Sequence, residues 1–349
     1  MKNALITGIT GQDGAYLARF LIRKGYKVYG TFRRTSTPNF WRLCYLGIED
    51  KVNLIAADIT DMSSIMEAII ISEPEEIYNL AAQSFVAASF DKPILTAEVD
   101  ALGTTRILEC IRMINPKIKF YQASTSELYG NSETNNNLIN EETLMKPVSP
   151  YAAAKIYSYH TVKIYRDAYG IFATNGILFN HESPIRGLEF VTRKITNAVA
   201  EIKFGIRKSI ELGNIESIRD WGYAEEYIEG MWRMLQHNQP DDFVVATGEA
   251  HSVKEFLKFA FERADLDYRD FLKINKNFIR PIDVNFLLGD NSKMFKELKW
   301  KPKTKFKKLV EHMVDEDIIR WDNYKKGKVF PWDALNYPDN LNLINRSKK

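Results

Sequence analysis

The sequence predicts a doubly wound α/β fold: a parallel sheet with helices on both faces, and a smaller α/β lobe interleaved with it. Three observations carry the prediction. The first half alternates short apolar runs with helix-length amphipathic stretches, a pattern that requires β-α-β crossovers. A glycine-rich turn joins the first run to the first helix. With 349 residues, 45% of them hydrophobic and 27% charged, the chain is long enough to bury a large core without disulfides or metals.

The elements follow in order. Residues 4–7 form the first strand, and the glycine turn leads into a helix over 15–24. Strands are predicted at 27–32 and 53–57, then a helix over 62–71. A fourth strand at 76–80 precedes a helix over 96–114, and a fifth lies at 119–124. A helix over 151–169 leads to a sixth strand at 173–179. The second half is less regular, with helices over 190–204, 223–237, 253–264 and 305–323. The buried run 243–247 reads as a further strand that returns to the main sheet. Residues 1–178 and 220–247 are therefore assigned to the Rossmann-like sheet domain, and 179–219 and 248–349 to the smaller lobe. The polar stretch 131–140 reads as a surface loop, and the tail after Gly327 as a frayed end. No internal repeat shows at a period of about 20–50 residues.

Charge and cysteine usage exclude several classes. A net charge of +3 is too balanced for a dedicated nucleic-acid binder. Cys44 and Cys110 stand alone, so neither a metal site nor a disulfide framework is expected, which fits a reducing compartment. No apolar run reaches the roughly 18–20 residues of a membrane helix, and the N-terminus has no signal-peptide pattern. A cytoplasmic protein without membrane or nucleic-acid partners is expected.

Thr7-Gly8-Ile9-Thr10-Gly11-Gln12-Asp13-Gly14 follows the first strand and opens the first helix. Glycines there let backbone approach a pyrophosphate, and the helix end presents free N–H groups to it. The strand-turn-helix context makes this a dinucleotide site with Gly8, Thr10, Gly11, Gln12, Asp13 and Gly14 as its loop. The second strand ends in Thr31-Phe32-Arg33-Arg34-Thr35-Ser36, with no acid to hold a ribose 2′-hydroxyl. Arg33 and its neighbours suit a 2′-phosphate instead, so NADP is expected. Asp58 and Ile59 after the third strand are placed at the adenine edge, and Leu80, Ala81, Ala82 and Ser84 after the fourth at close backbone approach.

Tyr151 and Lys155, four apart, share a helix face. An ammonium beside a tyrosine is expected to lower its pKa and make it a base toward a sugar or alcohol hydroxyl. Tyr159/Lys163 and Tyr324/Lys328 match the spacing, but only Tyr151 follows a Ser149-Pro150 helix start at the sheet edge. The fifth strand ends in Ser124-Thr125-Ser126-Glu127. A hydroxyl there can relay a proton to tyrosine. Glu127 adds a carboxylate that an epimerase does not need and an elimination beside a carbonyl does.

These motifs, with Asn79–Ser84, residues 121–130, Leu178-Phe179-Asn180-His181-Glu182-Ser183-Pro184, Phe190-Val191-Thr192-Arg193-Lys194, Arg219-Asp220-Trp221-Gly222 and Arg280-Pro281, resemble the GDP-mannose 4,6-dehydratase family of extended short-chain dehydrogenase/reductases over about residues 1–320. The resemblance implies a lyase of nucleotide-sugar metabolism and deoxysugar biosynthesis with a closed redox cycle. NADP accepts a hydride from C4 while Tyr151 takes the O4 proton. Glu127, with Thr125 in the relay, removes the C5 proton and expels the C6 hydroxyl, and the hydride returns to C6. It further implies that Lys155 holds the nicotinamide ribose and that His181 and Arg186 contact the cofactor. Ser84, Ser126, Asn180, Lys194, Arg219 and Arg280 would hold the GDP-sugar with Thr125 and Glu127. The loop from Arg33 to Thr37 implies a subunit interface, hence a homodimer or homotetramer.

Leu95, Val148 and Asp283 depart from the family pattern, where tyrosine, arginine and glutamate are usual. Val148, just before the catalytic helix, is shorter than arginine and would leave room beyond C6, so a GDP-manno-heptose substrate stays open beside GDP-mannose. An epimerase or 4-reductase on the same scaffold, and a non-enzymatic NADP-binding protein, are the remaining alternatives; Glu127 argues against the first and the intact set Thr125, Glu127, Tyr151 and Lys155 against the second.

Overall fold

The computed structural model describes residues 1–37, 39–132, 138–278 and 282–332. In chain order the elements run β1 (Asn3–Thr7), α1 (Gln12–Arg23), β2 (Lys27–Phe32), α2 (Trp41–Tyr45), β3 (Val52–Ala56), α3 (Met62–Ser72), β4 (Glu76–Asn79), α4 (Val86–Asp91) and α5 (Pro93–Ala97). A π-turn over Glu98–Leu102 then leads to α6 (Gly103–Ile114), β5 (Lys119–Thr125), α7 (Pro150–Tyr169), β6 (Ala173–Leu178), β7 (Asn180–Glu182) and α8 (Val191–Lys203). The remainder is β8 (Ile210–Leu212), β9 (Ile218–Tyr223), α9 (Ala224–Gln236), β10 (Phe243–Val245), β11 (Ala250–Ser252), α10 (Val253–Arg263), β12 (Leu272–Ile274), α11 (Ser292–Leu298) and α12 (Phe306–Lys325).

The main sheet has seven strands in the order β10-β6-β5-β4-β1-β2-β3, and every adjacent pair is parallel. Such a sheet is covered on both faces, which is why its strands read as near-continuous apolar runs. One face packs on α1, α9 and α11 through Ile6, Leu17, Ile228, Met231 and Trp300. The other packs on α3, α6 and α7 through Leu5, Ile69, Ile107, Ile111 and Val162. As predicted, the run near 243 returns to the sheet, pairing Phe243 with Gly176.

Outside the main sheet, β11-β9-β7 form a three-stranded sheet and β12-β8 a pair. Helices α8, α10 and α12 cover β8 and Trp221 of β9 with a separate core that includes Phe256, Phe261, Val310 and Met313. Met294, Leu298 and Trp300, which a boundary at residue 248 would place in the smaller lobe, belong to the same core as Ala4 and Ile6.

Two local expectations are refined. The helix expected over 96–114 is present but carries a π-turn over Glu98–Leu102, within which Asp100 is buried. The end of the polar stretch 131–140 is a surface loop with one buried anchor, since Leu138 and Asn140 are exposed on either side of Ile139. Ile139 is buried and bridges Gly289, and Glu141 accepts a 2.7 Å hydrogen bond from the Val244 amide. This segment caps the open edge strand β10. Residues 133–137 and the tail beyond 332 lie outside the described residues.

Candidate active site

A cleft of about 1250 Å³ runs along the carboxyl ends of the main strands. It exceeds the roughly 300–1,000 Å³ of a site for one small ligand, so it has room for two. Its centre lies where the strand order reverses, between β1 and β4. There Thr7 Oγ1 donates to Asn79 Oδ1 (2.6 Å) and accepts from the amides of Leu80 (3.1 Å) and Ala81 (3.2 Å). Asn79 in turn donates to Gln122 Oε1 at 2.7 Å, so polar side chains tie three strand ends together.

The phosphate loop is shaped by glycine. Gly8 has φ +69°, and a Cβ there would lie 2.8 Å from the Ala81 nitrogen. A Cβ on Gly14 would run into the Gly8 carbonyl. Gly11 caps α1 without a side chain, leaving the first amides of a 12-residue helix open to the cleft. These backbone positions fit a dinucleotide pyrophosphate. Gln12 and Asp13 line the cleft, and their side chains also make internal contacts. Gln12 accepts from Ser183 Oγ (2.6 Å) and donates to the His181 carbonyl (3.2 Å). Asp13 Oδ2 lies 2.8 Å from His181 Nε2, whose Nδ1 is 2.8 Å from the Phe179 carbonyl. Burial works against both charges, but their mutual attraction lowers the Asp13 pKa and raises that of His181.

Thr10, Arg33, Asp58, Ile59, Leu80, Ala81, Ala82, Ser84 and Arg186 all line the cleft. Arg33 is exposed just after β2, in a sequence (Thr31 to Ser36) that holds no acidic residue. Asp58 Oδ1 takes the Thr60 amide at 2.9 Å and so fixes its own turn. Arg186 stacks its guanidinium 3.6 Å from the Phe190 ring centroid and lies 3.3 Å from Glu182.

At the catalytic end, Ser149 Oγ caps α7 by accepting from Ala152 N (3.1 Å), with Pro150 as the first helical residue. This fixes Tyr151 at the mouth of the helix and Lys155 one turn inside. Lys155 is buried and donates to the Ala123 carbonyl at 3.1 Å, with its ammonium 5.8 Å from the Tyr151 ring centroid. Thr125 ends β5, and its Oγ1 accepts the Glu127 amide at 3.2 Å. Thr125, Ser126, Glu127, Tyr151 and Lys155 line the same cleft as the phosphate loop.

The expected lowering of the tyrosine pKa by its lysine is not what the environment gives. Tyr151 is pushed up, first by burial and then by the Asp100 carboxylate, while the Thr125 hydroxyl and the Arg186 charge pull it down. Asp100 compensates the lysine. Burial lowers the Lys155 pKa and Asp100 raises it, and Asp100 itself is pushed up to about 6 by burial against the pull of Lys155.

The nucleotide-sugar residues lie at the far end. Asn180, Lys194 and Arg219 line the cleft; Arg280 lies outside the described residues. Lys194 Nζ sits 3.8 Å from the Phe278 ring centroid, and burial lowers its pKa. Arg219 lies 3.5 Å from Asp283, so the shorter acid at that departure still pairs with it. Leu95 lines the cleft. Val148 does not: it packs behind, against the cluster of Leu128, Tyr129 and Ile139, near Gly130. The room that its small size was expected to open is therefore not in the site. Sequence reasoning missed Asp100, Arg42 and Phe278. For Asp100 the available signal was an acid on the apolar face of the 96–114 helix.

Among the described residues there is no group of three or more His, Cys, Asp or Glu that could hold a metal, and no helix is long and apolar enough to cross a membrane.

A family profile described as GDP-mannose 4,6 dehydratase matches residues 5–313. GDP-mannose 4,6 dehydratase 1 of Arabidopsis thaliana is 48% identical over 327 residues, covering 91% of this chain and 90% of that protein. GDP-mannose 4,6 dehydratase of Drosophila melanogaster is 49% identical over 343 residues, covering 91% and 86%. Among solved structures, dTDP-glucose 4,6-dehydratase from Bacillus anthracis in complex with NAD superposes with a TM-score of 0.81 at 20% identity, covering 94% of this chain and 100% of that one.

Proposed function

Since the chain belongs to the GDP-mannose 4,6-dehydratase family, and acts as a hydro-lyase on GDP-mannose, we propose that the dehydration runs through NADP, with Thr125, Glu127, Tyr151 and Lys155 as its working groups. The observation that carries this reading is that the four side chains share one cleft with the phosphate loop. When bound, the nicotinamide supplies the acceptor for the C4 hydride and the donor for C6.

The chain's own groups do the proton chemistry. Two protons leave the sugar, from O4 and C5; one departs with the C6 hydroxyl as water and the other returns to C5. Tyr151 takes the O4 proton, and the nearby Thr125 hydroxyl and Arg186 charge favour its phenolate. Lys155, anchored on the Ala123 carbonyl, keeps a cation beside it. Glu127, tied to Thr125 through its own amide, takes the C5 proton and passes one to the leaving oxygen. At the far end Lys194 and Arg219, with Asn180, suit a diphosphate and its nucleoside, and the resemblance adds Arg280 to this set.

Arg33 at an end of β2 without an acid supports NADP over NAD. A homodimer or homotetramer belongs to the same reading. Ile94 (77% exposed) and Ile164 (57% exposed) stand on α5 and α7, which pack side by side, and support a covered surface there. The free thiols of Cys44 and Cys110 support a cytoplasmic setting.

The deciding experiment follows loss of water from GDP-mannose by mass with wild type and Glu127→Gln, each with NADP and with NAD. We expect the variant to lose about 10²- to 10⁴-fold in dehydration while binding GDP-mannose within a few-fold of wild type, and NADP to support faster turnover than NAD. A Glu127→Gln protein at full rate removes the assigned role.

A further inference from the structure

We propose that Trp332 is a positioning residue for dinucleotide binding: with Trp41 it forms the back of a clamp that fixes the phosphate loop and the stretch 184–186. The inference rests on the reading of the cleft as a dinucleotide site.

Two guanidiniums hold three consecutive carbonyls. Arg42, on α2, donates from Nε to the Ile185 carbonyl (2.8 Å) and from Nη1 to the Thr10 carbonyl in the phosphate loop (3.1 Å). Arg193, on α8, donates from Nη1 to the carbonyls of Pro184 (2.8 Å) and Arg186 (2.9 Å). Each guanidinium faces an indole: Arg42 is 4.4 Å from the Trp41 ring centroid and Arg193 5.7 Å from that of Trp332. The two indoles meet edge to face, 6.0 Å apart at 76°. Trp332 is brought there by the turn after α12. It stacks on Phe330 at 4.7 Å, which stacks on Tyr324 at 4.5 Å and lies 4.8 Å from Trp321.

The two arginines differ in what fixes them. Arg193 is fully buried in a bidentate pair with Asp317 (3.1 and 2.7 Å) and is held whatever Trp332 does. Arg42 has no carboxylate within ion-pair distance among the described residues, and burial pushes its pKa down to about 10. Its orientation rests on two carbonyls and the face of Trp41, and the outer edge of that ring is braced by Trp332. A five-residue helix such as α2 supplies little stiffness of its own. The contact therefore carries order from the end of α12 to Thr10. Misplacing a binding group by about 1 Å is enough to weaken it severely.

The test uses the full-length chain. NADPH affinity is measured by direct titration for wild type, Trp332→Ala, Trp332→Phe, Arg42→Lys and the double variant Trp332→Ala/Arg42→Lys. Hydrogen exchange of the amides in residues 8–14 is followed without ligand. We expect Trp332→Ala to weaken NADPH about 10-fold, the scale of one edge-to-face aromatic contact. Trp332→Phe should recover most of the loss. The double variant should be no weaker than the weaker single, because both act through Arg42. Amides 8–14 should exchange faster in Trp332→Ala, with GDP-mannose affinity unchanged. Should Trp332→Ala not fold, Trp332→Leu, which keeps bulk but no π face, carries the same test. Wild-type NADPH affinity and exchange in the tryptophan variants, additive losses, or equal weakening of GDP-mannose would overturn the clamp. A wild-type chain that binds no NADPH would instead overturn the dinucleotide reading, whereas the exchange measurement tests the clamp on its own.

Discussion

His181 Nε2 lies 2.8 Å from Asp13 Oδ2, joining residues 168 positions apart and locking the first turn of α1 to β7. The His181 ring also stacks on Tyr227 at 4.9 Å, so the pair is held from behind. The histidine is raised and the aspartate lowered, so each group favours the charged form of the other. The signs give a window. The stability from Asp13 is present above its ordinary pKa near 3.8 and is lost as pH falls through its lower folded value. The stability from His181 is full below its ordinary pKa near 6.5 and is lost as pH rises through its higher folded value. We expect urea unfolding of wild type to weaken on both sides of this window. His181→Ala should cost about 1–3 kcal/mol within it, by removing one charge-assisted partner of Asp13, and should lack the alkaline loss. An alkaline decline of wild-type size in that variant would assign the decline to another group.

Asp100 offers a second pH experiment. Its carboxylate raises the Tyr151 pKa, and its Oδ1 accepts the Gln83 amide at 2.8 Å. Asp100→Asn keeps an acceptor there and removes the charge. If Tyr151 acts as a phenolate, kcat/KM rises with pH through its pKa, and the variant's rise should begin at lower pH. A lower rate with an unmoved profile would leave Asp100 a purely structural role.

Gly8 is the most constrained residue of the phosphate loop. Gly8→Ala places a side chain at φ +69° and a Cβ 2.8 Å from the Ala81 nitrogen. The left-handed backbone alone costs about 1–2 kcal/mol, and the loop must also move away from Ala81. We expect at least a 10-fold loss of NADPH affinity by titration and a lower Tm. Unchanged NADPH affinity would mean that the pyrophosphate does not sit on this loop.

Much of the architecture was legible because parallel strands buried on both faces leave apolar runs that interleave with amphipathic helices. The start of α7 was legible for a local reason: Ser149 and Pro150 are a cap and a first-turn residue in any context. Strands β7, β8, β11 and β12 were not, because three residues carry no period and, unlike β10, none of them is a continuous apolar run. The direction of the Tyr151 shift was hidden because it depends on burial and on Asp100, 51 positions earlier, and which groups surround the tyrosine is set by tertiary packing. Val148 was misplaced because adjacency in sequence to Tyr151 does not say which way a loop side chain points. The clamp on residues 184–186 joins four segments that lie far apart along the chain.

One core joins Ala4 and Ile6 to Met294 and Trp300, and this bears on biosynthesis. During translation β1 emerges well before these partners and lacks them until some three hundred further residues have been made. At about 5–20 residues per second that is roughly 15–60 s. Through that interval the nascent sheet exposes apolar faces and an incomplete strand edge. A stalled or truncated product is thus a candidate for chaperone capture rather than a smaller, self-sufficient enzyme.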